Sequence, residues 1–200
     1  MEDDSLRILV IDTETTGLFD VKNPDEYASN QPYAVQVAAL MFDPRNDHYD
    51  LQFNKLVKLP HGFPIEPAAM AVHRISNEIV EAHGESPIKV YSELRELVKA
   101  SHRVMVYNLP FDERIIRTSS VRACPGVFDD DPVLGDGSKL FCAMDYCSAL
   151  FKHPYMKLEQ AYRRCFGTPI KDAHDAMADA IATAEVFRKL TSDAFEIGVL

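Results

Sequence analysis

Leu6 to Ile11 is an apolar run whose only charge is Arg7, and Asp12 and Glu14 follow it directly. A short run of this kind, ended by the polar break from Thr13 to Leu18, reads as a strand buried on both faces. Such a strand needs structure packed above and below it. Side chains alternate along a strand, so Asp12 and Glu14, two residues apart, point to one side where the extended geometry persists. Two anions that close repel each other unless a proton or a cation joins them, which makes metal binding a physical answer to the pair. For the pair taken alone, a turn or cap role for Asp12 and Thr15 is an equal alternative.

The remaining chain supplies the layers. Residues 19 to 32, with Asn23-Pro24-Asp25 and Asn30-Gln31-Pro32, form a polar connection to a second, mostly buried strand over Tyr33 to Phe42. Asp43 to Asp47 reads as a hairpin turn, and Tyr49, Leu51, Phe53 and Val57 then mark a half-exposed third strand. Pro60, Pro64 and Pro67 make a rigid loop, with Pro67 opening a short helix through Val72. From Ser86-Pro87, Ile88, Tyr91, Leu94 and Val98, widened by Val90 and Leu97, trace the apolar stripe of a helix. Val104 to Tyr107 is a fourth strand. Asn108 to Thr118 reads as a turn into a helix, residues 119 to 138 as a loop, and Leu140 to Cys142 as a fifth strand. Helices over Leu158, Ala161, Tyr162 and Cys165, capped by Gly167, and from Ala176 to Leu190 close the chain. This order predicts an α/β protein: a central five-stranded mixed sheet, three antiparallel strands first, flanked by helices. Without an internal linker, residues 1–200 read as a single domain, with 1–5 and 191–200 as terminal tails.

Charge narrows the function. With 21 basic and 31 acidic residues the net charge is −10, which argues against a broad phosphate-binding surface of the counterion-displacing kind. A phosphodiester is still accessible to carboxylates that carry divalent metals, because bound cations invert the local field. Gly135-Asp136-Gly137-Ser138-Lys139 lacks P-loop spacing. No apolar run is long enough to span a bilayer, Met1-Glu2-Asp3-Asp4-Ser5 lacks signal-peptide character, and the four cysteines form no Cys-x-x-Cys pair. Those features predict a cytoplasmic protein with reduced thiols and no membrane partner.

Further acids stand at element ends. Asp112 follows the fourth strand in Asn108-Leu109-Pro110-Phe111-Asp112, where an acid in a first helical turn is also a simple dipole partner. In His174-Asp175-Ala176-Met177-Ala178-Asp179, five helical steps turn about 140° past a full circle, so His174 belongs on the loop before the helix. Asp175 and Asp179, at i and i+4, share a face, which leaves Asp175 as a rival to Asp179 on spacing alone.

Asp12-Thr13-Glu14-Thr15-Thr16-Gly17, Asn108-x-x-Phe111-Asp112 and His174-x-Ala176-x-x-Asp179 together resemble the three motifs of the DEDDh 3′-to-5′ exonucleases, whose fold is ribonuclease H-like. Ala71-Val72-His73-Arg74-Ile75-Ser76 resembles the Val-His-Gly-Ile-Thr segment of the proofreading exonuclease (epsilon) subunits of bacterial replicative polymerases, with Arg74 in place of glycine. Cys142-Ala143-Met144-Asp145 stands where those relatives often carry Asp-Thr. The resemblance implies two Mg²⁺ or Mn²⁺ ions on Asp12, Glu14, Asp112 and Asp179, with His174 as general base. It further implies that Thr15, Thr16, Gly17 and Leu18, with His73 and Asn108, meet the terminal nucleotide. The expected reaction is release of nucleoside 5′-monophosphates from the 3′ end of single-stranded or frayed DNA, with a polymerase as a further partner. RNA trimming is the alternative within this chemistry, because the motifs do not encode contacts to the 2′-hydroxyl. A non-catalytic nucleic-acid or polymerase-binding module is the alternative outside it. Arg114, Arg117 and Arg122 form one candidate basic face for the strand, and Lys152, Lys157, Arg163 and Arg164 another.

Overall fold

A computed structural model describes residues 6–46 and 48–196, with the side chains of 193–196 left out. Five strands form one sheet in the order β3-β2-β1-β4-β5. These are β1 (Ile8–Thr15), β2 (Ala34–Phe42), β3 (Tyr49–Leu56), β4 (Arg103–Val106) and β5 (Leu140–Cys142). β1, β2 and β3 are antiparallel neighbours, whereas β4 runs parallel to β1 and β5 parallel to β4. The expected five-stranded mixed sheet, with three antiparallel strands first, is therefore present.

The alternation of β1 divides the interior in two. Leu9 and Ile11 face one side, where Val37, Ala39, Val104 and Val106 pack against Val90, Tyr91, Leu94, Ile115 and Ile116. Those partners come from α3 (Pro87–Ala100) and α4 (Leu109–Ala123). Ile8 and Val10 face the other side with Ala38, Leu40, Phe42 and Met105. There they meet α5 (Ala143–Phe151), α6 (Leu158–Phe166) and α7 (Ala176–Glu196). Each fully buried Leu, Ile or Phe in these layers contributes about 1.5–3 kcal/mol relative to exposure. A smaller cluster of Val35, Ile65, Ile75 and Val80 seats α1 (Pro67–His73) and α2 (Asn77–His83) beside the sheet.

Two consequences of register place the chemistry. β1 continues past its apolar run to Thr15, so Asp12 and Glu14 lie within the strand, opposite Ala38 and Gln36 of β2. Pairing of β1 with β4, by contrast, stops at Ile11 opposite Val106. Asp12 to Thr15 thus extend past the carboxyl end of a parallel neighbour, the position at which open α/β sheets leave a crevice.

Several expectations need correction. α2 and α5 were not anticipated: α2 buries only Val80, too little to give a periodic signal, and α5 follows β5 with no intervening turn residue. α4 runs through Ala123, converting the first part of the expected 119–138 loop into helix, since Ser119 and Ser120 are buried on its inner face. α7 continues to Glu196, so 191–196 are helical and not a tail, while 1–5, 197–200 and Asp47 lie outside the described residues. Ile88 is 48% exposed and leaves the apolar stripe of α3, which is carried by Val90, Tyr91, Leu94 and Val98. Leu51 is likewise exposed, on an edge strand with one partner.

Arg74 closes α1 in the left-handed conformation, φ 62°, with its N–H donated to the Met70 carbonyl. A side chain there is strained by about 1–2 kcal/mol, partly offset in a glycine variant by the greater freedom of the unfolded chain. Arg74→Gly is expected to raise stability by about 0.5–1 kcal/mol, or roughly 1–4 °C in Tm, measured by thermal melting.

Candidate active site

Asp12, Glu14 and Asp179 each present a carboxylate oxygen, and these lie within 4.8 Å of one another. Strand alternation supplies the first two and the start of α7 supplies the third, one turn inside the helix. The helix is fixed in place by Asp175, whose Oδ1 accepts the N–H groups of Met177 (3.0 Å) and Ala178 (3.2 Å) in the manner of an N-cap. Gln36 of β2 donates to Asp175 Oδ2 at 3.0 Å and accepts the Ala176 N–H at 3.2 Å, so one buried amide ties sheet and helix together. Spacing alone left Asp175 and Asp179 as rivals. In the structure Asp175 is engaged by the helix terminus, whereas Asp179 faces the two β1 acids.

Asp112 enters from α4 and is buried; its Oδ1 accepts the Thr13 hydroxyl at 2.7 Å. Thr13 lies between Asp12 and Glu14 and points to the opposite face, so the strand that presents the acids also anchors their neighbour. Asp112 is not within the tight three-carboxylate group, yet it is near enough for its charge to act on both Asp12 and Glu14. Asn108, half-buried before α4, caps it through its carbonyl, which accepts the Phe111 and Asp112 N–H groups; its side chain makes no cap bond.

Burial is the main force on these acids and mutual repulsion adds to it. Glu14 is pushed up to about 8 by desolvation, then by Asp179, Asp112 and Asp175. Asp179 is raised to about 6 by desolvation, opposed by His174. Asp12 is raised by desolvation and by all four surrounding carboxylates. Asp112 is raised by desolvation against the opposing hydrogen bond from Thr13.

His174 is exposed, on the turn before α7, and takes a left-handed backbone, φ 69°. Its backbone N–H reaches Asp179 Oδ2 at 3.3 Å, so the residue sits beside the cluster while remaining exposed. A non-glycine residue held at positive φ beside a polar cluster is the kind of local strain that functional sites retain.

A cleft of about 360 Å³ opens beside Glu14, lined by Thr13, Thr15, Leu18, Val72, His73 and Phe111 among others. Leu18 is 76% exposed at its mouth. Gly17 lets the Glu66 carboxylate lie against the backbone, where a Cβ would collide with it. His73 accepts the Ile75 N–H at Nδ1 (3.0 Å), so Nε2 carries the proton and bonds the Thr15 carbonyl at 3.1 Å. Burial holds this imidazole below its ordinary pKa, hence neutral. Thr16 is structural: its hydroxyl accepts the Tyr33 N–H and its carbonyl accepts the Glu66 N–H. Of the residues expected at substrate, Thr15, Gly17, Leu18 and His73 line the cleft, while Thr16 and Asn108 do not.

Sequence reasoning passed over Gln36, Thr13 and Glu66. Gln36 was legible as the one polar side chain within the apolar Tyr33–Phe42 run. The basic face on α4 is already engaged. Arg117 holds Glu26 and Glu113, Arg114 meets Glu26 and lies over Phe19, and Arg122 donates to the Pro32 and Ser29 carbonyls.

The donor set fits a hard divalent cation. Three carboxylate oxygens converge, and Asp179 Oδ1 is buried with no hydrogen-bond partner, an arrangement costly without a cation or proton.

A mixed sheet with an acid cluster beyond the carboxyl end of its parallel pairing is a scaffold suited to carboxylate and metal chemistry. The chain belongs to the exonuclease family, whose model matches residues 9–187. It is 30% identical over 187 residues to a DNA polymerase III subunit epsilon-like protein of Rhodobacter capsulatus, covering 94% of this chain and 24% of that protein. The chain thus spans about a quarter of that curated relative's length. In fold it resembles E. coli Exonuclease I solved with a dT13 oligonucleotide (TM-score 0.72, 17% identity, 96% of this chain and 42% of that one). It also resembles the nuclease domain of 3′hExo, a DEDDh family member, bound to rAMP (TM-score 0.70, 12% identity, 96% and 95%).

Acids whose pKa is raised on folding bind protons more tightly in the native state, so metal-free stability falls as pH rises. The loss begins near pH 4, where the unfolded carboxylates ionise, and the part carried by Glu14 is complete above about 8, with Asp12 raised in the same direction. In EDTA, Tm is expected to fall across that window, and millimolar Mn²⁺ to restore it most at the alkaline end. Asp12→Asn should stabilise the metal-free protein at pH 8 and abolish the Mn²⁺ response. Asp175→Ala, removing a cap and orphaning Gln36, is expected to cost about 1–2 kcal/mol in chemical denaturation while retaining cation binding by calorimetry.

Proposed function

We propose that this chain is a metal-dependent 3′-to-5′ exonuclease acting on single-stranded or frayed DNA ends and releasing nucleoside 5′-monophosphates. The observation that carries the reading is the convergence of Asp12, Glu14 and Asp179 from distant parts of the chain, with Asp112 beside them and a cleft adjoining. Membership of the exonuclease family supports the reaction class.

In this reading Asp12, Glu14, Asp112 and Asp179 hold two Mg²⁺ or Mn²⁺ ions. Such ions, when bound, offset the charge that builds on the phosphodiester during in-line displacement. The protein's own groups do the rest. His174, exposed beside Asp179, takes the proton of the attacking water, a task suited to imidazole near neutral pH. Gln36 and Asp175 keep α7 in register so that Asp179 meets β1. The 3′-terminal nucleotide occupies the cleft, where Leu18 and Val72 offer apolar surface to the base and the backbone around Thr15 and Gly17 approaches the sugar. His73 serves as a support, since both ring nitrogens are engaged. With both core layers complete within the described residues, 1–200 is read as one exonuclease domain.

DNA is placed first because the curated relative's name ties it to a DNA polymerase subunit, which also motivates a polymerase partner. A second reading, RNA trimming, is favoured by the 3′hExo neighbour bound to rAMP. No described helix is long and apolar enough to cross a membrane, and the four cysteines are free, which supports a cytoplasmic site of action.

Matched 5′-labelled DNA and RNA oligonucleotides with Mg²⁺ or Mn²⁺ test this directly. Stepwise shortening from the 3′ end, faster on DNA and stopped by EDTA, is expected. Faster RNA decay reverses the substrate order, and folded protein without cation-dependent release at any pH overturns the enzyme reading. His174→Ala is expected to lower kcat by about 10²–10⁴ and Asp179→Asn to abolish turnover, measured on the same oligonucleotide. Near-normal turnover of the histidine variant would remove the base assignment.

A further inference from the structure

At least ten of the 21 lysines and arginines of this acidic protein are engaged in ion pairs or with backbone carbonyls away from α6. Arg45, Lys55, Lys58, Lys89, Arg95, Lys99, Arg114 and Arg117 are in ion pairs, and Lys139 and Arg122 donate to backbone carbonyls. The region around α6 differs. Lys152, Lys157, Arg164 and Lys171 fall within twenty residues of sequence, and none is in an ion pair among the described residues. Arg163 joins them, paired only with Glu159 at 2.9 Å. His153, Met156, Gln160, Arg163 and Arg164 line one shallow depression between α5 and α6, and Tyr155 beside it is 52% exposed.

This patch adjoins the acid cluster. Glu159, in the first turn of α6, accepts the Ile170 N–H at the start of the segment leading to His174. It is close enough for its charge to raise Asp179 and to be influenced by His174. α6 is nine residues long, about 13 Å, so the whole patch lies within a few nucleotides of the cluster. It is also on the side away from the cleft. The cleft borders Phe111 of the α3–α4 layer, while α6 packs in the α5–α7 layer, with Asp12 and Glu14 between them.

We propose that the patch is a track for the phosphate backbone of the single strand on the 5′ side of the bond being cut. It rests on the exonuclease reading: with the terminal nucleotide in the cleft, the strand passes the carboxylates and leaves over α6. Unpaired cations with an exposed aromatic ring are what a sequence-tolerant single-strand surface requires. Such a cluster is useful on a chain of charge −10, where a polyanion is otherwise repelled.

The test compares Lys157→Gln/Arg164→Gln with Lys89→Gln/Lys99→Gln, which changes net charge equally on α3. Binding of 5′-fluorescein dT3 and dT15 is followed by anisotropy with Ca²⁺ over 50–300 mM salt, and KM on both oligomers is measured with Mn²⁺. Hydrolysis of the p-nitrophenyl ester of thymidine 5′-monophosphate reports the carboxylate site alone. The patch variant is expected to weaken dT15 about tenfold at low salt, to lower the salt slope by about 1.4, and to leave dT3 within twofold. The α3 variant should match the parent on both. Equal losses in the two variants, or an unchanged salt slope for the patch variant, overturn the track. A parent protein that binds dT15 through the patch yet releases no nucleotide from it, and hydrolyses no ester, with any cation overturns the exonuclease reading and leaves the patch as a single-strand surface with no bond being cut beside it.

Discussion

Four carboxylates held against their mutual repulsion are the constraint to which the fold answers. Burial and like charge both oppose ionisation of Asp12, Glu14, Asp112 and Asp179, and no described lysine or arginine is paired with them. A folded chain tolerates this only where the backbone leaves no relaxed alternative. β1 is paired on both flanks through Ile11 and on one flank through Thr15. Asp12 and Glu14 therefore cannot swing away without breaking a ladder. Asp179 is equally constrained, since α7 is bound at its start to Gln36 and packed along its length against β1 and β2. The stability lost at the cluster is supplied by the two apolar layers, and a cation converts the unfavourable arrangement into a favourable one.

The same logic separates the two histidines. His73 is buried at the end of α1 with each ring nitrogen bonded to backbone, which fixes its tautomer and leaves no free lone pair for chemistry. His174 reaches its place through a strained turn and keeps its ring in solvent next to Asp179. Residue type is shared, but environment separates the two: one braces the wall of the cleft, and the other is the residue proposed as the base.

Much of this was legible in the chain. Alternation within Leu6–Glu14 predicted both the buried strand and the shared side of the two acids, and helical arithmetic put His174 ahead of α7. What escaped was whatever tertiary contact decides. α2 has too few buried side chains to leave a pattern, and α5 begins without a turn residue to announce it. Asp175 and Asp179 could not be told apart by spacing, because the distinction depends on Gln36, 139 positions from Asp175 in sequence. The length of α4 was missed for a related reason: buried serines continue it where composition suggests a loop, with the Ser119 hydroxyl accepting the Ala34 N–H of β2.

Charge distribution links the site to the rest of the surface. A strongly acidic chain gains solubility but repels a polyanion at long range. On the α4 side the chain neutralises its arginines internally: Arg114 and Arg117 with Glu26, and Arg122 with carbonyls of the 19–32 connection. Those contacts hold the connection over the sheet and so shape the wall behind Phe19 and Phe111, whose rings meet edge to face. Around α6 Arg163 is paired with Glu159 and Arg164 lies over the Phe151 ring, while Lys152, Lys157 and Lys171 are in no ion pair among the described residues. The protein thus divides its basic residues between cross-bracing on the cleft side and, in the proposed track, attraction on the other. The acid cluster lies between the two, so in the proposed reading a strand would pass from contacts of shape in the cleft to contacts of charge along α6.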